Sequence, residues 1–409
     1  MERDELSDWL RLSLTRGIGN ATARKLLSAF GLPEAIFKQP SAALLQVVST
    51  SQATALRDEP AELQALVETT WTWLNDDNPG SARRQIVVLG DSDYPPSLLT
   101  MEDPPLMLYL LGAGTLTANN PPAHDSIAQD TIKSIAQLLS DRALLSLAMV
   151  GSRNPTPQGS VNARKFAKTF AQSGLTVVSG LALGIDGAAH EGALEGAALN
   201  HADLVTVAVV GTGLDRVYPR AHRDLAHRIA QHGLLVSEYP LGTPPLTANF
   251  PKRNRLIAGL TQGTLVVEAA LKSGSLITAR LTVEQGKEVF AIPGSIHSSQ
   301  SRGCHSLIKQ GAKLVESAMD VLEELKLDVG TAVIAPRQDV SEHMAHTRAP
   351  SSADALLWEC LGFDPVSLDA LQARSGLDTA TLQAQLMTLE LEGQVARLPG
   401  GLFQRLVSA

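Results

Sequence analysis

Short apolar runs recur through the middle of the chain, each separated from the next by enough residues for one helix. They lie at residues 147–150, 175–178, 205–210, 234–236, 265–267 and 289–292. Strands that are apolar at nearly every position have both faces covered, so this alternation predicts a parallel, doubly wound α/β sheet. Ligands of such sheets bind beyond the carboxyl ends of the strands, where the turns after these runs lie.

The first 80 residues show helical spacing instead. Apolar residues recur three and four positions apart at Ala23, Leu26, Leu27 and Phe30. The preceding Gly17-Ile18-Gly19 turn, with Asn20 as a predicted N-cap and Gly31 as a predicted stop, is typical of a helix-hairpin-helix. The backbone amides of such a turn can face a phosphate, or the turn can serve packing alone, and the sequence leaves both roles open. Residues 60–75 are predicted to form a further helix, and residues 76–81 a linker.

The C-terminal region has the order of a winged helix. Helices are predicted near residues 353–360, at 367–375 and at 379–392, followed by a hairpin of residues 395–398 and 402–406. In such modules the third helix commonly reads the major groove, yet this one contains no Lys or Arg. We therefore interpret the module, which carries a net charge of −4, as a surface for protein contacts or regulation.

The composition is that of an ordinary globular protein, with 44% apolar and 19% charged residues, and it excludes disordered and collagen-like chains. The longest apolar run, residues 143–150, is too short to cross a bilayer, and the charged N-terminus is followed by no signal-peptide core. The two cysteines, Cys304 and Cys360, form no metal-binding motif. We expect a cytoplasmic protein with no disulfide framework and no metal site.

The net charge of the whole chain differs in sign from the net charge of its middle region. A net charge of −8 argues against a polyanionic partner. Residues 142–326, however, carry 19 Lys or Arg and 14 Asp or Glu, whereas residues 1–80, 81–141 and 353–409 are each net −4. Chance scatter is the alternative explanation. If a polyanion binds, we expect it on the middle region.

The turns after the predicted strands carry residues suited to anions. Gly151-Ser152-Arg153-Asn154 follows the first run, where backbone amides and a guanidinium fork can meet a phosphate. Arg220 follows the third run, and the stretch from Asn249 to Arg255 is the densest basic cluster of the chain. Lys272-Ser273-Gly274-Ser275 follows the fifth run.

Two nucleotide-binding motifs are missing. Gly211-Thr212-Gly213 is not followed by the third glycine of a dinucleotide fingerprint, and no GxxxxGK[ST] stretch occurs. We therefore predict neither a nicotinamide cofactor nor a P-loop nucleotidase.

Taken in order, these motifs resemble the DNA-processing protein A family (DprA, also called Smf). The resemblance covers roughly residues 85–325, and its one departure is a longer loop at residues 199–203. The residues that carry it are Tyr94-Pro95, Asp103-Pro104-Pro105, Gly151-Ser152-Arg153, Ser179 to Asp186, Ala189-His190, Gly211 to Asp215, Tyr218-Pro219, Ser237-Glu238, Phe250 to Gly259, Val266 to Ala269 and Ser273 to Ala279.

The resemblance implies a function that composition alone does not indicate. Such proteins bind single-stranded DNA that enters the cell during natural transformation, protect it, and help to load RecA recombinase by displacing single-strand-binding protein. They are not known as catalysts, and their extended Rossmann-like sheet dimerises. The predicted domains are a helix-hairpin-helix or SAM-like domain at 1–80, the DNA-binding core at 81–326, a linker at 327–352 and a winged helix at 353–409.

Carried over by motif, the predicted DNA-binding residues lie in the turns described above, and Phe250 is the one expected to stack on a base. They are Gly151, Ser152, Arg153, Asn154, Arg220, Phe250, Lys252, Arg253, Asn254, Arg255, Ser273, Gly274 and Ser275. Arg255 has a second interpretation as a buried ion-pair partner, although three basic residues within four positions are hard to satisfy internally.

Three other polar residues have both structural and catalytic interpretations. Asp186 and His190 are four residues apart and share a helix face, and we interpret them as a structural hydrogen-bonded pair. Glu268 ends a strand and is expected to pair with an arginine rather than act as a general acid.

The alternative function is that of a nucleotide phosphoribohydrolase of the lonely-guy group, whose PGGxGTxxE motif ends in a catalytic Glu. The similar stretch here, residues 272–278, ends without a carboxylate. That difference favours a DNA-binding protein that is not an enzyme.

Overall fold

The computed structural model describes residues 1–76, 82–112, 134–200, 204–326, 357–358, 360–361 and 365–406, without the side chains of residues 198–200. The predicted linkers at 76–81 and 327–352 and the long loop at 199–203 lie wholly or largely outside these residues. The boundaries of the domains therefore stay predictions. No helix of the described part is long and apolar enough to cross a membrane.

Six helices make up the N-terminal region. They are α1 (Arg3–Leu14), α2 (Asn20–Phe30), α3 (Pro33–Phe37), α4 (Ser41–Leu44), α5 (Thr50–Arg57) and α6 (Leu63–Leu74). The predicted hairpin is formed by α1 and α2, and α6 confirms the helix expected at 60–75. Gly31 ends α2 at a φ of 84°, as predicted, with its N–H bonded to the carbonyl of Leu27.

One detail of the hairpin was predicted wrongly. Gly19, in extended conformation, is the N-cap of α2, and Asn20 is its first helical residue. The Asn20 side chain makes no cap; its Nδ2 donates to Asp103 Oδ2 at 3.2 Å. The Asn20 amide, which the local sequence predicts as a helix cap, is instead bonded to Asp103, a residue outside the helix.

The central element is a nine-stranded sheet in the order β1-β2-β6-β5-β4-β3-β7-β8-β9. Its strands are β1 (Arg83–Val88), β2 (Met107–Gly112), β3 (Ser146–Val150), β4 (Thr176–Ser179), β5 (Thr206–Val209), β6 (Leu234–Ser237), β7 (Gly263–Val266), β8 (Glu288–Ala291) and β9 (Lys313–Leu314). Strands β3 to β9 are parallel to one another, and β2 is antiparallel to both β1 and β6. All six predicted strands are present, and the doubly wound, mostly parallel sheet is confirmed.

Helices cover both faces of this sheet. They are α7 (Pro96–Leu99), α8 (Ile135–Ala143), α9 (Pro157–Gln172), α10 (Ile185–Asn200), a 3₁₀ turn (Arg220–His222), α11 (Arg223–His232), α12 (Asn249–Gly259), α13 (Ser275–Glu284), α14 (Arg302–Lys309) and α15 (Ala318–Glu324). Strand β3 shows the consequence for the sequence: Leu147 and Met149 join one apolar core, whereas Ala148 and Val150 join the other. Because successive residues face opposite layers, the strand is apolar throughout.

The order of the strands creates a switch point between β3 and β7. The chain proceeds from β3 through β4 and β5 to β6 on one side, and then returns to place β7 on the other side of β3. The loops that leave the carboxyl ends of β3 and β7 therefore run in opposite directions. This divergence opens the crevice that such sheets use for ligands.

The C-terminal region forms a separate small core with the predicted order. It contains β10 (Val366–Ser367), α16 (Leu368–Ser375), α17 (Thr379–Leu391), β11 (Val395–Leu398) and β12 (Leu402–Arg405). The three strands are antiparallel in the order β10-β12-β11. Gly376 ends α16 in the left-handed conformation, at the predicted turn. The helix expected at 353–360 is described only at 357–358 and 360–361, where it is helical.

His190 is fully buried and joins α10 to the sheet. Its Nδ1 lies 2.7 Å from the hydroxyl of Thr206, which itself donates to the carbonyl of Val177. Because that hydroxyl has used its proton, Nδ1–H is the donor, and burial keeps the imidazole neutral by disfavouring its charged form. Burial lowers the pKa of His190 to about 3. Its predicted bond with Asp186 is absent, since Asp186 accepts from the backbone of Gly180 and Ala182 instead.

We predict that His190 makes the fold sensitive to acid. Its folded pKa of about 3 lies below the unfolded value of about 6.5, so the unfolded chain binds the additional proton and stability falls as the pH drops through that window. Between about pH 6.5 and pH 5 this residue should account for about 2 kcal/mol of lost unfolding free energy. The measurement is urea unfolding of the wild type and His190→Gln at both pH values. Between the two pH values the unfolding free energy of the variant should fall by about 2 kcal/mol less than that of the wild type.

The control is His227→Gln, because His227 lies exposed on α11. It should keep the pH dependence of the wild type. If His190→Gln keeps it as well, the neutral imidazole is not the cause.

Candidate nucleic-acid interface

A cavity of about 630 Å³ occupies the switch point. Its walls come from the segments after strands β3 to β8 and from α12 and the start of α13. The lining residues are Val150, Gly151, Ser152, Arg153, Asn154, Ala182, Asp186, Tyr218, Thr247, Phe250, Pro251, Arg253, Asn254, Ile257, Ala270, Lys272, Ser273, Gly274, Ser275, Ile277, Thr278 and Gln300. The structure thus brings together most of the residues predicted to bind DNA.

The turn after β3 is held on two sides. Ser152 N–H donates to the carbonyl of Glu268 at 2.7 Å, and Ile185 N–H donates to the carbonyl of Ser152 at 3.1 Å. A Cβ at Gly151 would lie 2.7 Å from the Ile185 side chain, so only glycine fits between these neighbours. Arg153 follows immediately and is exposed at the rim of the cavity. A rigid backbone therefore presents a mobile cation.

Glu268 has a structural partner, and the prediction that it pairs with an arginine is wrong. Its carboxylate accepts from Thr156 N–H at 2.9 Å and from the Thr156 hydroxyl at 2.5 Å. Thr156 is the N-cap of α9, with its hydroxyl also accepting from Gly159 N–H. Burial raises the pKa of Glu268, and the two bonds from Thr156 oppose that rise. The carboxylate thus ties β7 to the start of α9.

Arg253 forms part of the cavity wall and is almost fully buried. Only 4% of the residue is exposed, and its Nη1 donates to the carbonyl of Val209 at the end of β5. A Cβ at residue 180 would overlap the guanidinium, so Gly180 supplies the space that Arg253 occupies. Burial lowers the pKa of Arg253 to about 10, while the nearby Asp186 carboxylate raises it. The cation therefore stays charged at neutral pH.

An aromatic surface lies beside Arg153. The rings of Tyr218 and Phe250 are 5.4 Å apart between centroids, and the Arg153 guanidinium lies 5.8 Å from the Phe250 centroid. Tyr218 is 47% exposed. Its side chain is part of the cavity, although the sequence analysis used Tyr218-Pro219 only as a motif. Bases can stack on such rings without regard to sequence.

The opposite rim is polar and uncharged except for Lys272. The hydroxyls of Ser273 and Ser275 are 2.7 Å apart at the start of α13. Asn254 Nδ2 reaches the carbonyl of Gly274 at 3.5 Å, which joins α12 to this rim. Gln300 donates to the carbonyl of Asn154 at 3.0 Å, a contribution from the loop after β8 that no sequence motif indicated.

Helix α12 separates the basic cluster into two groups. Phe250, Arg253, Asn254 and Ile257 follow helical spacing and line the cavity, whereas Lys252 and Arg255 do not. The C-terminal end of the helix is held by Lys287, whose Nζ donates to the carbonyls of Ala258 and Gly259 at 2.7 and 3.0 Å. Arg220 also lies outside the cavity, exposed in the 3₁₀ turn.

Arg255 forms an internal ion pair, as its second interpretation from the sequence proposed. Its Nη2 donates to Glu238 Oε2 and lies 3.6 Å from Asp103 Oδ2. The side chains of Arg255 and Glu238 are only 11% and 5% exposed. Burial raises the pKa of Glu238, and Arg255 and Lys252 lower it. Lys252 Nζ lies 3.7 Å from Glu238 Oε2 but keeps about half of its side chain exposed.

The N-terminal hairpin also uses its polar residues internally. Asn20 donates to Asp103, as described above, and Arg24 Nη2 donates to the carbonyl of Glu102 at 2.7 Å. Both contacts attach α2 to the loop that carries the Arg255 partner. Of the two roles left open for this hairpin, these contacts favour packing.

We predict that Arg255→Ala destabilises the fold. Removing the guanidinium leaves Glu238 buried without its main partner, which costs about 3–5 kcal/mol in such cases. Urea unfolding at neutral pH measures the change. In the Arg255→Ala, Glu238→Ala double variant the loss should be smaller than the sum of the single losses. Additive losses would show that the two side chains do not act as a pair.

Comparison with known proteins agrees with the fold. The family model for DNA recombination-mediator protein A matches residues 136–326, and the DprA winged helix domain matches residues 341–401. Protein Smf of Escherichia coli is 38% identical over 341 residues, which cover 82% of this chain and 80% of that protein. Protein Smf of Synechocystis is 32% identical and covers 99% of this chain and 100% of its own length.

A solved structure shows the same architecture. DNA processing protein A from Streptococcus pneumoniae superposes with a TM-score of 0.60 at 32% identity, covering 79% of this chain and 98% of that structure. The identity to the full-length relatives and the two matching domains extend far beyond the shared sheet. The chain therefore belongs to the DNA processing protein A (DprA/Smf) family.

Proposed function

We propose that this protein binds single-stranded DNA in the cavity at the switch point, with Arg153 and Arg253 facing phosphates and Phe250 facing a base. The observation that carries the proposal is the convergence of a buried cation, an exposed cation and an aromatic surface in one cavity. Arg253 lines the cavity and donates one hydrogen bond within the described structure, so its guanidinium adds positive charge to the wall that an anion would face. The rings explain why that anion should belong to a nucleic acid.

The shape of the site favours an unpaired strand. The Phe250 ring, from the first turn of α12, and the Tyr218 ring, from the segment after β5, line a crevice rather than a convex surface. A base can reach them only if it is not paired within a duplex. Phosphate contacts by Arg153 and Arg253 would hold the backbone in any sequence. Broad binding of single strands is what a protein that handles incoming DNA requires.

The wider role is inferred from the family. We propose that the protein protects single-stranded DNA during natural transformation, displaces single-strand-binding protein and loads RecA recombinase, acting as a homodimer in the cytoplasm. The winged helix would serve this role through protein contacts. On its helix α17, within the described residues, the charged side chains are those of Glu390 and, at its end, Glu392.

A catalytic role is the alternative, and the carboxylates near the cavity argue against it. Glu268 is bonded to Thr156, and Asp186 accepts two backbone N–H groups and lies near Arg253. Both carboxylates therefore have structural partners. A phosphoribohydrolase would need a free carboxylate beside the scissile bond.

We predict no turnover of nucleotides. Purified protein incubated with nucleoside monophosphates or ATP should release no base and no phosphate above background, as measured by chromatography. Turnover that disappears in Glu268→Gln would contradict the DNA-binding proposal and favour the hydrolase.

We predict that Arg153→Ala weakens DNA binding without weakening the fold. Arg153 is exposed and makes no ion pair within the described residues, so the unfolding free energy should change by less than about 0.5 kcal/mol. Affinity for oligonucleotides of different sequence should fall alike, and the salt dependence should lose about 0.7 log units per log unit of salt. Fluorescence anisotropy at three salt concentrations measures both.

Lys309→Gln is the control, because Lys309 is an exposed cation at the end of α14, outside the cavity. It should bind DNA as the wild type does. Unchanged affinity in Arg153→Ala would remove this residue from the site.

A further inference from the structure

A second group of cations lies on the exposed face of the 3₁₀ turn and α11. Arg220, Arg223 and Arg228 are exposed, with His227 between the last two. The other face of α11 is buried through Leu225, Ala226, Ile229 and Ala230. The charged side chains therefore point away from the sheet. We call Arg220, Arg223, His227 and Arg228 the α11 stripe.

The arginines of the α11 stripe differ from most exposed arginines of the core. Arg164 is paired with Glu195, and Arg280 with Glu284. Within the described residues, Arg220, Arg223 and Arg228 make no ion pair. Asp224 is the acidic residue of this helix, so the stripe has a surplus of positive charge. Arg223 and Arg228 are about 140° apart on the helix, at the two sides of its exposed face with Asp224 between them, and the surplus of unpaired arginines on this face is suited to a polyanion.

The α11 stripe begins at the wall of the cavity. Tyr218 lines the cavity and packs on Phe250, and Arg220 is only two residues further along the chain. The start of the stripe is held in place by His222, whose ring nitrogen lies 3.0 Å from the carbonyl of Leu181 in the turn after β4. The charged surface is thus attached to the cavity by a fixed piece of backbone.

The direction of α11 extends that surface away from the cavity. The helix connects β5 to β6, which are parallel neighbours, so it runs from the carboxyl edge of the sheet back towards the amino edge. Its ten residues span about 15 Å. A strand that left the cavity past Tyr218 would find cations along this length.

We propose that the α11 stripe binds the backbone phosphates of the same single strand of DNA after it leaves the cavity. The inference rests on the proposed function of the cavity and extends its footprint. The strand's phosphates contact Arg223 and Arg228, and its bases make no contact with the stripe. Long strands therefore use both surfaces, and strands that only fill the cavity use one.

The test compares two lengths of oligothymidylate, about 4 and about 16 nucleotides, the limits typical of single-strand grooves. The Arg223→Gln, Arg228→Gln double variant should bind the short strand as the wild type does. For the long strand the salt dependence should fall by about 1.4 log units per log unit of salt, which corresponds to about 25-fold weaker binding near 0.1 M salt. Fluorescence anisotropy at three salt concentrations provides both values.

Two further variants separate charge from structure. Arg223→Lys, Arg228→Lys keeps the charge and should keep the binding of long strands close to that of the wild type. Arg280→Gln, Lys309→Gln removes the same charge from α13 and α14 and should leave the affinity for long strands unchanged. Thermal unfolding verifies that each variant is folded.

The results distinguish this inference from the function on which it rests. If the wild type binds neither strand, the proposed function fails. If the wild type binds both and the Gln variant binds long strands with unchanged affinity and salt dependence, the stripe does not contact DNA and the inference is overturned. Equal losses for short and long strands would mean that α11 acts through the cavity, which also overturns the inference.

Discussion

The buried guanidinium of Arg253 is the interaction on which the organisation of the crevice depends. A cation without solvent is costly unless its donors are met, and this one meets the carbonyl of Val209 and lies near the Asp186 carboxylate. Those two groups belong to the end of β5 and the start of α10. Gly180 adds the space between them. Three segments that are distant in sequence, the turn from β4 to α10, the end of β5 and α12, are therefore held in one arrangement around the cavity.

Helix α12 transmits this arrangement to the rest of the molecule. One face places Phe250 and Arg253 at the cavity, and the opposite face places Arg255 between Glu238 and Asp103. Asp103 is in turn held by Asn20 of the N-terminal hairpin. The helix that carries the proposed binding residues is thus packed against the sheet and connected through Asp103 to the N-terminal helices. A binding surface that is fixed before the ligand arrives loses less entropy on binding.

The turn after β3 follows the same principle with a different group. Glu268 bonds the N-cap of α9 through its side chain and Ser152 through its carbonyl. The backbone beside Arg153 is fixed from two directions, while the Arg153 side chain stays exposed. Rigid backbone with exposed cations describes this rim and also the α11 stripe. In each case the fold supplies position and the side chain supplies charge.

The sequence by itself determined the sheet, because alternation of apolar runs and helical stretches reflects local periodicity and burial on both faces. It also determined the glycine turns at 151 and 180 and the candidate cations, since residue type decides which groups can meet a phosphate.

Only the tertiary structure decided which cations remain available. Lys252, Arg253 and Arg255 are neighbours in sequence, but the 100° step of a helix points them in different directions. Glu238 and Asp103, the partners of Arg255, come from the end of β6 onwards and from the loop before β2, since Glu238 directly follows that strand, and Glu268 bonds Thr156 rather than an arginine. Such pairings depend on contacts between segments that are distant in sequence, so the spacing of residues along the chain does not predict them.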